Sequence, residues 1–284
     1  MAKNKKKPAQ PVLAKDPNYL FKMSHAPAWG MSNALYMLIP AILFSAVTIL
    51  IVRMHVYERP MSQFYWTTEE DTSQIVDFFS YDKMVFIVVM AVVALVLILF
   101  QIVSQSMVIK RTYIYIPMLV YAAFVLISYF GSDYKEFSLW GYNDRFEGTM
   151  PLLCYMVLLF YVINIINSET NLKQIFWPLA ITSVLLSLLG ISQALDHDFF
   201  RTVLGQKLIS PNYTLANGGT VWQAIEEAAA NGEQYYNFTF QNREIYQTVY
   251  NINYVSFYLT LLLPLFGMLF IRALDKDANE PLWK

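Results

Sequence analysis

The chain has 284 residues, of which 56% are hydrophobic and only 14% charged, and its mean hydropathy is +0.38. Soluble domains are about half apolar and about a quarter charged, so this chain carries more apolar surface than a soluble core can hide and reads as a membrane protein. A single cysteine, Cys154, lies inside an apolar run, which excludes an intramolecular disulfide and any C-x-x-C metal or redox scheme. The net charge of −1 conceals a separation of charge along the chain.

Residues 1–32 are lysine-rich and interrupted by Pro and Gly, the composition of a flexible cytoplasmic tail lying near anionic headgroups. The first apolar run, 33–52, is too long for a cleavable signal and is followed by Arg53-Met54-His55 rather than a small-residue cleavage site, so it reads as an uncleaved anchor. Further apolar runs cover 84–104, 113–130, 150–167, 175–195 and 252–271, each near the roughly 20 residues needed to cross a hydrocarbon core. The third and fourth are the shortest and suit a different tilt or a re-entrant path. The expected fold is therefore all-α, a polytopic membrane bundle of about six transmembrane helices over 33–271, with no fixed repeat.

Lys and Arg near the span ends set orientation. An inside N-terminus puts Lys3, Lys5, Lys6, Lys7, Lys110, Arg111, Lys173 and Arg272 on the cytoplasmic side, and most acidic residues, including Glu69-Glu70-Asp71, on the other. Both termini are then cytoplasmic, 272–284 forming a second tail, and loops 53–83, 131–149 and 196–251 lie outside. The longest loop contains an expected short helix, 221–230, preceded by Asn217-Gly218-Gly219 and ended by Asn231-Gly232. The aromatic stretch 234–254 that follows reads either as an interfacial belt or as a surface for stacking on sugar rings.

The spans hold almost no ionisable residues, so no proton relay or ion path is evident. Gln101, Asn164 and Gln193 are expected as interhelical hydrogen-bond partners. Gly-rich phosphate loops, H-E-x-x-H and G-x-S-x-G are absent. His25, His55 and His197 lack metal-ligand spacing, and the triplets Asp196-His197-Asp198 and Asp275-Lys276-Asp277 are of a kind that arises by chance at helix ends. No metal, cofactor or nucleic acid is expected. The segment Trp140-Gly141-Tyr142-Asn143-Asp144-Arg145-Phe146-Glu147-Gly148 stands just before the fourth span. A guanidinium there can bond a diphosphate bidentately at headgroup level, or it can pair with Asp144 or Glu147 at little energetic consequence.

This segment resembles the "G-x-x-x-R-x-E-G" motif of the O-antigen ligase and polymerase family. Arg243-Glu244-Ile245-Tyr246-Gln247-Thr248-Val249-Tyr250-Asn251-Ile252-Asn253-Tyr254, followed by Tyr258 to Pro264, is similar to that family's "R-x-Y-x-T-x-x-N-P-N-Y-x-G-x-Y" entry into a membrane helix, with Ile252 in place of Pro and Ser256 in place of Gly. The resemblance implies a multi-pass glycosyltransferase of the bacterial cytoplasmic membrane. Such an enzyme transfers or polymerises glycan from an undecaprenyl-diphosphate carrier on the extracytoplasmic face. It implies that Arg145 meets the carrier diphosphate, with Glu147 orienting it, and that Arg243, Tyr246, Asn251, Asn253 and Tyr254 line the same pocket. The partners so implied are membrane lipids, a lipid-linked glycan donor and a glycan or lipid acceptor. The resemblance covers the N-terminal half of the family pattern, so a truncated or split member is expected, its missing half supplied by a second polypeptide. The alternatives are a non-catalytic protein that binds lipid-linked glycan and, further off, a glycan exporter.

Overall fold

A backbone in lipid must satisfy its own polar groups, and a continuous apolar run does so as a helix. The structure, a computed structural model, describes residues 35–58, 74–104, 109–142, 145–216, 218–236, 238, 240 and 242–274, and all six apolar runs are helical within it. The basic tail 1–32, the acidic run at 69–71 and the triplet at 275–277 lie outside the described residues. In chain order the elements are α1 (Leu35–Ile42), β1 (His55–Glu58), β2 (Gln74–Asp77), α2 (Tyr81–Val103), α3 (Tyr115–Gly131), α4 (Lys135–Trp140), α5 (Thr149–Ile165), α6 (Glu169–Ala194), α7 (Val203–Ile209), α8 (Val221–Ala230) and α9 (Ile252–Leu274).

Among the described residues, Tyr81–Val103, Thr170–Ala194 and Ile252–Ile271 are long and apolar enough to cross a membrane. The other three runs form shorter apolar helices, Leu35–Leu50, Tyr115–Gly131 and Thr149–Ile165. At about 1.5 Å per residue, the 17 residues of α3 or α5 reach ~26 Å, somewhat under the ~30 Å of a hydrocarbon core. The shortness expected of the third and fourth runs is thus visible, and the first run shares it.

The chain divides into two compact units, Met1–Thr48 with Lys83–Thr182 and Ile49–Asp82 with Ser183–Lys284. In the first, α5 packs against α1, α3 and α4. Ile87, Ala91, Ala94 and Ile98 of α2 and Cys154, Leu158, Tyr161 and Ile165 of α5 recur at helical spacing and bury together with Met37, Leu38 and Ala41. Alanines at this seam let the helices approach closely. The other face of α2 carries exposed Val89, Val92, Val96 and Phe100, so the helix is apolar all round, the pattern of a lipid-facing span. Polar contacts join the helices where the sequence places Gln101 and Asn164. Gln101 donates to Tyr36 Oη at 3.4 Å, Asn164 donates to Tyr115 Oη at 2.8 Å, and Tyr161 donates to the Met37 carbonyl at 2.6 Å.

α1 is irregular. Pro40 has no N–H to donate, and past it the helix widens to a π turn at Leu43–Val47 before tightening to a 3-10 turn at Thr48–Leu50. Thr182 of α6 donates to the Ala46 carbonyl inside the widened turn at 2.9 Å.

The second unit has a feature that an all-α expectation misses, the antiparallel hairpin β1–β2 with His55 opposite Asp77. Asp77 ends it and starts α2 by accepting from the backbone N–H groups of Ser80 (3.0 Å) and Tyr81 (2.7 Å). The expected short helix is α8, and its cap is Thr220 rather than the preceding glycines. Thr220 and Gln223 bond each other's backbone in a reciprocal capping box. An aromatic core of Phe79, Phe200, Phe240 and Tyr246 holds the unit together.

Candidate functional site

The arginine-bearing motif is a closed loop. α4 ends at Gly141, whose φ of +98° favours glycine, and α5 begins after Gly148. The two glycines meet: a Cβ on Gly148 would lie 2.3 Å from the Gly141 nitrogen, and one on Gly141 would lie 2.4 Å from the Glu147 nitrogen. The Gly148 N–H donates to the Trp140 carbonyl at 3.2 Å and so ties the loop at its base. Both glycines of the motif are therefore steric requirements of one contact. Phe146, at φ +50°, turns inward and is buried, while Arg145 and Glu147 on either side of it are exposed. Asn143 and Asp144 lie outside the described residues. Among the described residues, no hydrogen bond or ion pair engages the Arg145 guanidinium. A cation so presented, one turn ahead of the α5 N-terminus, suits an anion arriving from outside the loop.

The other candidate residues belong to the second unit. Arg243 is exposed at a φ of +68°, and Gln247 and Tyr250 also have positive φ, at 48° and 72°. Three such residues within eight positions give a tightly coiled entry to α9. Asn251 caps that helix, its side chain accepting from the Asn253 N–H at 2.8 Å. Asn253 and Tyr254 are exposed on its first turn. Tyr246 is different: it is 1% exposed, stacks on Phe240 with ring centres 3.8 Å apart and gives its hydroxyl to Asp198. Burial and the adjacent Asp198 carboxylate both push the Tyr246 hydroxyl far above the usual phenol range. It acts as an anchor within the unit, and the residues it leaves at the surface are Arg243, Asn253 and Tyr254.

Tyr246, Gln247 and Thr248 together tie the α9 entry to α6 and to the end of the first apolar helix. Gln193 of α6 accepts from the N–H groups of Tyr246 (3.2 Å) and Gln247 (2.8 Å), Gln247 donates to the Leu186 carbonyl at 3.0 Å, and Thr248 donates to the Ile49 carbonyl at 2.6 Å. Gln193, expected between helices, thus bonds a loop instead. Asp198 is also explained. Its carboxylate accepts from the Tyr246 hydroxyl and the Phe200 N–H at 3.1 Å and pairs with the Arg201 guanidinium at 3.4 Å. Among the described residues no group of three or more His, Cys, Asp or Glu could hold a metal ion.

Sequence reading counts Lys110 only as a marker of sidedness, whereas the structure gives it a specific task. Its ammonium donates to the carbonyls of Ile163 (2.8 Å) and Ile166 at the C-terminus of α5, and its backbone N–H donates to Asn164 Oδ1 at 2.9 Å. Asn171 adds a bond to the Ile165 carbonyl at 3.1 Å, so the final carbonyls of α5 are capped from outside the helix. Burial holds Lys110 down to about 8.

No family model, curated protein or solved structure matches the chain.

Proposed function

We propose that the chain is a membrane glycosyltransferase of the O-antigen ligase-like kind, acting on a glycan carried by a lipid diphosphate. In this reading six helices cross the bacterial cytoplasmic membrane, both termini are cytoplasmic, and the loops at 53–83, 131–149 and 196–251 face outward. The observation that carries it is the Gly141–Gly148 loop, closed at its base by backbone contact and presenting Arg145 and Glu147 at its surface. As the bond between the sugar C1 and the diphosphate oxygen breaks, its electron pair stays with the diphosphate. The acceptor hydroxyl oxygen forms the new bond to C1 and its proton leaves to solvent. Arg145 meets the charge that grows on the departing diphosphate, a stabilisation that is largest when the donor is already held in place. Arg243, Asn253 and Tyr254 contribute to glycan or lipid contact from the α9 entry.

Transfer of glycan from a lipid-diphosphate donor, measured in proteoliposomes, should fall about 100-fold or more in Arg145→Ala. Arg145→Lys should recover only part of that loss, since an ammonium lacks the planar fork. Undiminished transfer in Arg145→Ala sinks the proposal. A second reading is a non-catalytic protein that binds lipid-linked glycan. It predicts donor binding that depends on Arg145, with no transfer.

A further inference from the structure

α7 turns both of its leucines outward. Gly205, Gln206 and Ile209 are buried, whereas Leu204 and Leu208, one turn apart on the same face, are 68% and 69% exposed. The helix has no freedom to rotate them inward. A Cβ on Gly205 would lie 2.0 Å from the Phe199 carbonyl oxygen, Gln206 donates to the Arg201 carbonyl at 3.0 Å, and the Ile209 carbonyl accepts from the Met54 N–H at 2.7 Å. Beside the leucines, Lys207 pairs with Glu226 of α8 and lies 6.0 Å from the centre of the Trp222 ring, which is itself 42% exposed.

The tethers also set the level at which this ridge stands. Met54 follows closely on Leu50, where the first apolar helix ends, and α7 follows shortly after Ala194, where α6 ends. The same unit binds the Ile49 carbonyl to Thr248 and Gln193 to Tyr246, so the ends of these apolar helices are gathered where α7 lies. Exposed apolar side chains on α6, among them Leu188 and Ile191, and Leu195 just past its end lead along the chain to Leu204 and Leu208.

We propose that α7 is an interfacial helix whose Leu204 and Leu208 ridge seats in the boundary between headgroups and acyl chains, in the leaflet where α6 ends. Trp222 stands at headgroup level beside it, the indole across the interface, with the Lys207–Glu226 ion pair in the same layer. The inference rests on the reading of the chain as membrane-spanning and is independent of any enzymatic activity. A seat of this kind holds the outer loops at a constant depth relative to a lipid-borne substrate.

The sole cysteine makes the test direct. In a full-length Cys154→Ala background, an environment-sensitive fluorophore is attached in turn to Leu204→Cys, Leu208→Cys, Leu188→Cys on α6 and Glu227→Cys on the exposed side of α8. The proteins are placed in phosphatidylglycerol and phosphatidylethanolamine nanodiscs. Quenching by lipid spin-labelled near the headgroup end of the acyl chain is compared with quenching by aqueous iodide. Labels at 204 and 208 should be quenched several-fold more by lipid, and several-fold less by iodide, than the label at 227. Iodide quenching at 204 and 208 with lipid quenching at 188 overturns the seat of α7 and leaves the membrane reading intact. Iodide quenching at 188 as well overturns the membrane reading itself. Protection of 204 and 208 from both quenchers means that protein covers the ridge, and this also overturns the proposal.

Discussion

Gly148 and Tyr246 show how differently single residues yield to sequence reading. The glycines of the arginine loop are legible as a motif because their spacing recurs in a known pattern. Their reason, a close approach of the two backbones that would set any Cβ on Gly148 2.3 Å from the Gly141 nitrogen, becomes visible only when α4 and α5 are placed. Gly148→Ala should cost about 1 to 3 kcal/mol, read by denaturant unfolding in detergent, and should lower transfer without touching Arg145 itself. Tyr246 reads as part of an interfacial belt or of a surface that stacks on sugars, and its burial is illegible because the partner that makes burial tolerable, Asp198, lies 48 residues earlier. Tyr246→Phe keeps the ring stack and removes the hydroxyl, leaving a largely buried carboxylate one donor short. A loss of about 1 to 3 kcal/mol is expected in the same measurement, whereas an unchanged midpoint would remove the anchor role.

At the scale of elements, the helices were readable because lipid leaves an apolar run little choice but to be helical. Their internal irregularities and ends were less so. The widened turn after Pro40 depends on Thr182, a residue far along the chain, and the β1–β2 hairpin is short, with neither strand carrying a long alternation. The cap on α5 carries a pH signature. Lys110 titrates near 8 in the folded protein and near the ordinary 10.5 when unfolded, so between these values the unfolded chain binds more protons. Stability should therefore rise as pH climbs from about 8 towards 10.5, and below that window the cost of holding the charged ammonium buried stands at its full, constant value. Lys110→Met should abolish the rise when thermal unfolding is followed across that range. The same variant should lose stability at neutral pH if the capping of Ile163 and Ile166 outweighs the burial of the charge.

For the whole molecule, hydropathy and charge separation conveyed a helical membrane protein, and the structure adds three helices of spanning length and three shorter ones. Sidedness is a property of the chain in its membrane and is measured there. Maleimide that cannot cross the bilayer should label Lys135→Cys and Tyr213→Cys in intact cells and reach Ser168→Cys only after permeabilisation. The reverse pattern would invert every loop assignment and move Arg145 to the wrong face for a carrier presented outside.

The clasp formed by Tyr246, Gln247 and Thr248 bears on how the protein is made. The bond from Thr248 to Ile49 spans 199 residues, and contacts so distant close late. While α9 is still in the ribosome, the carbonyl of Ile49 and the amide of Gln193 wait without their final partners, although the first unit already has its helices. Birth of the second unit is thus deferred until the α9 entry emerges, and a nascent chain arrested before residue 246 would expose its aromatic core to whatever chaperone or protease attends the membrane.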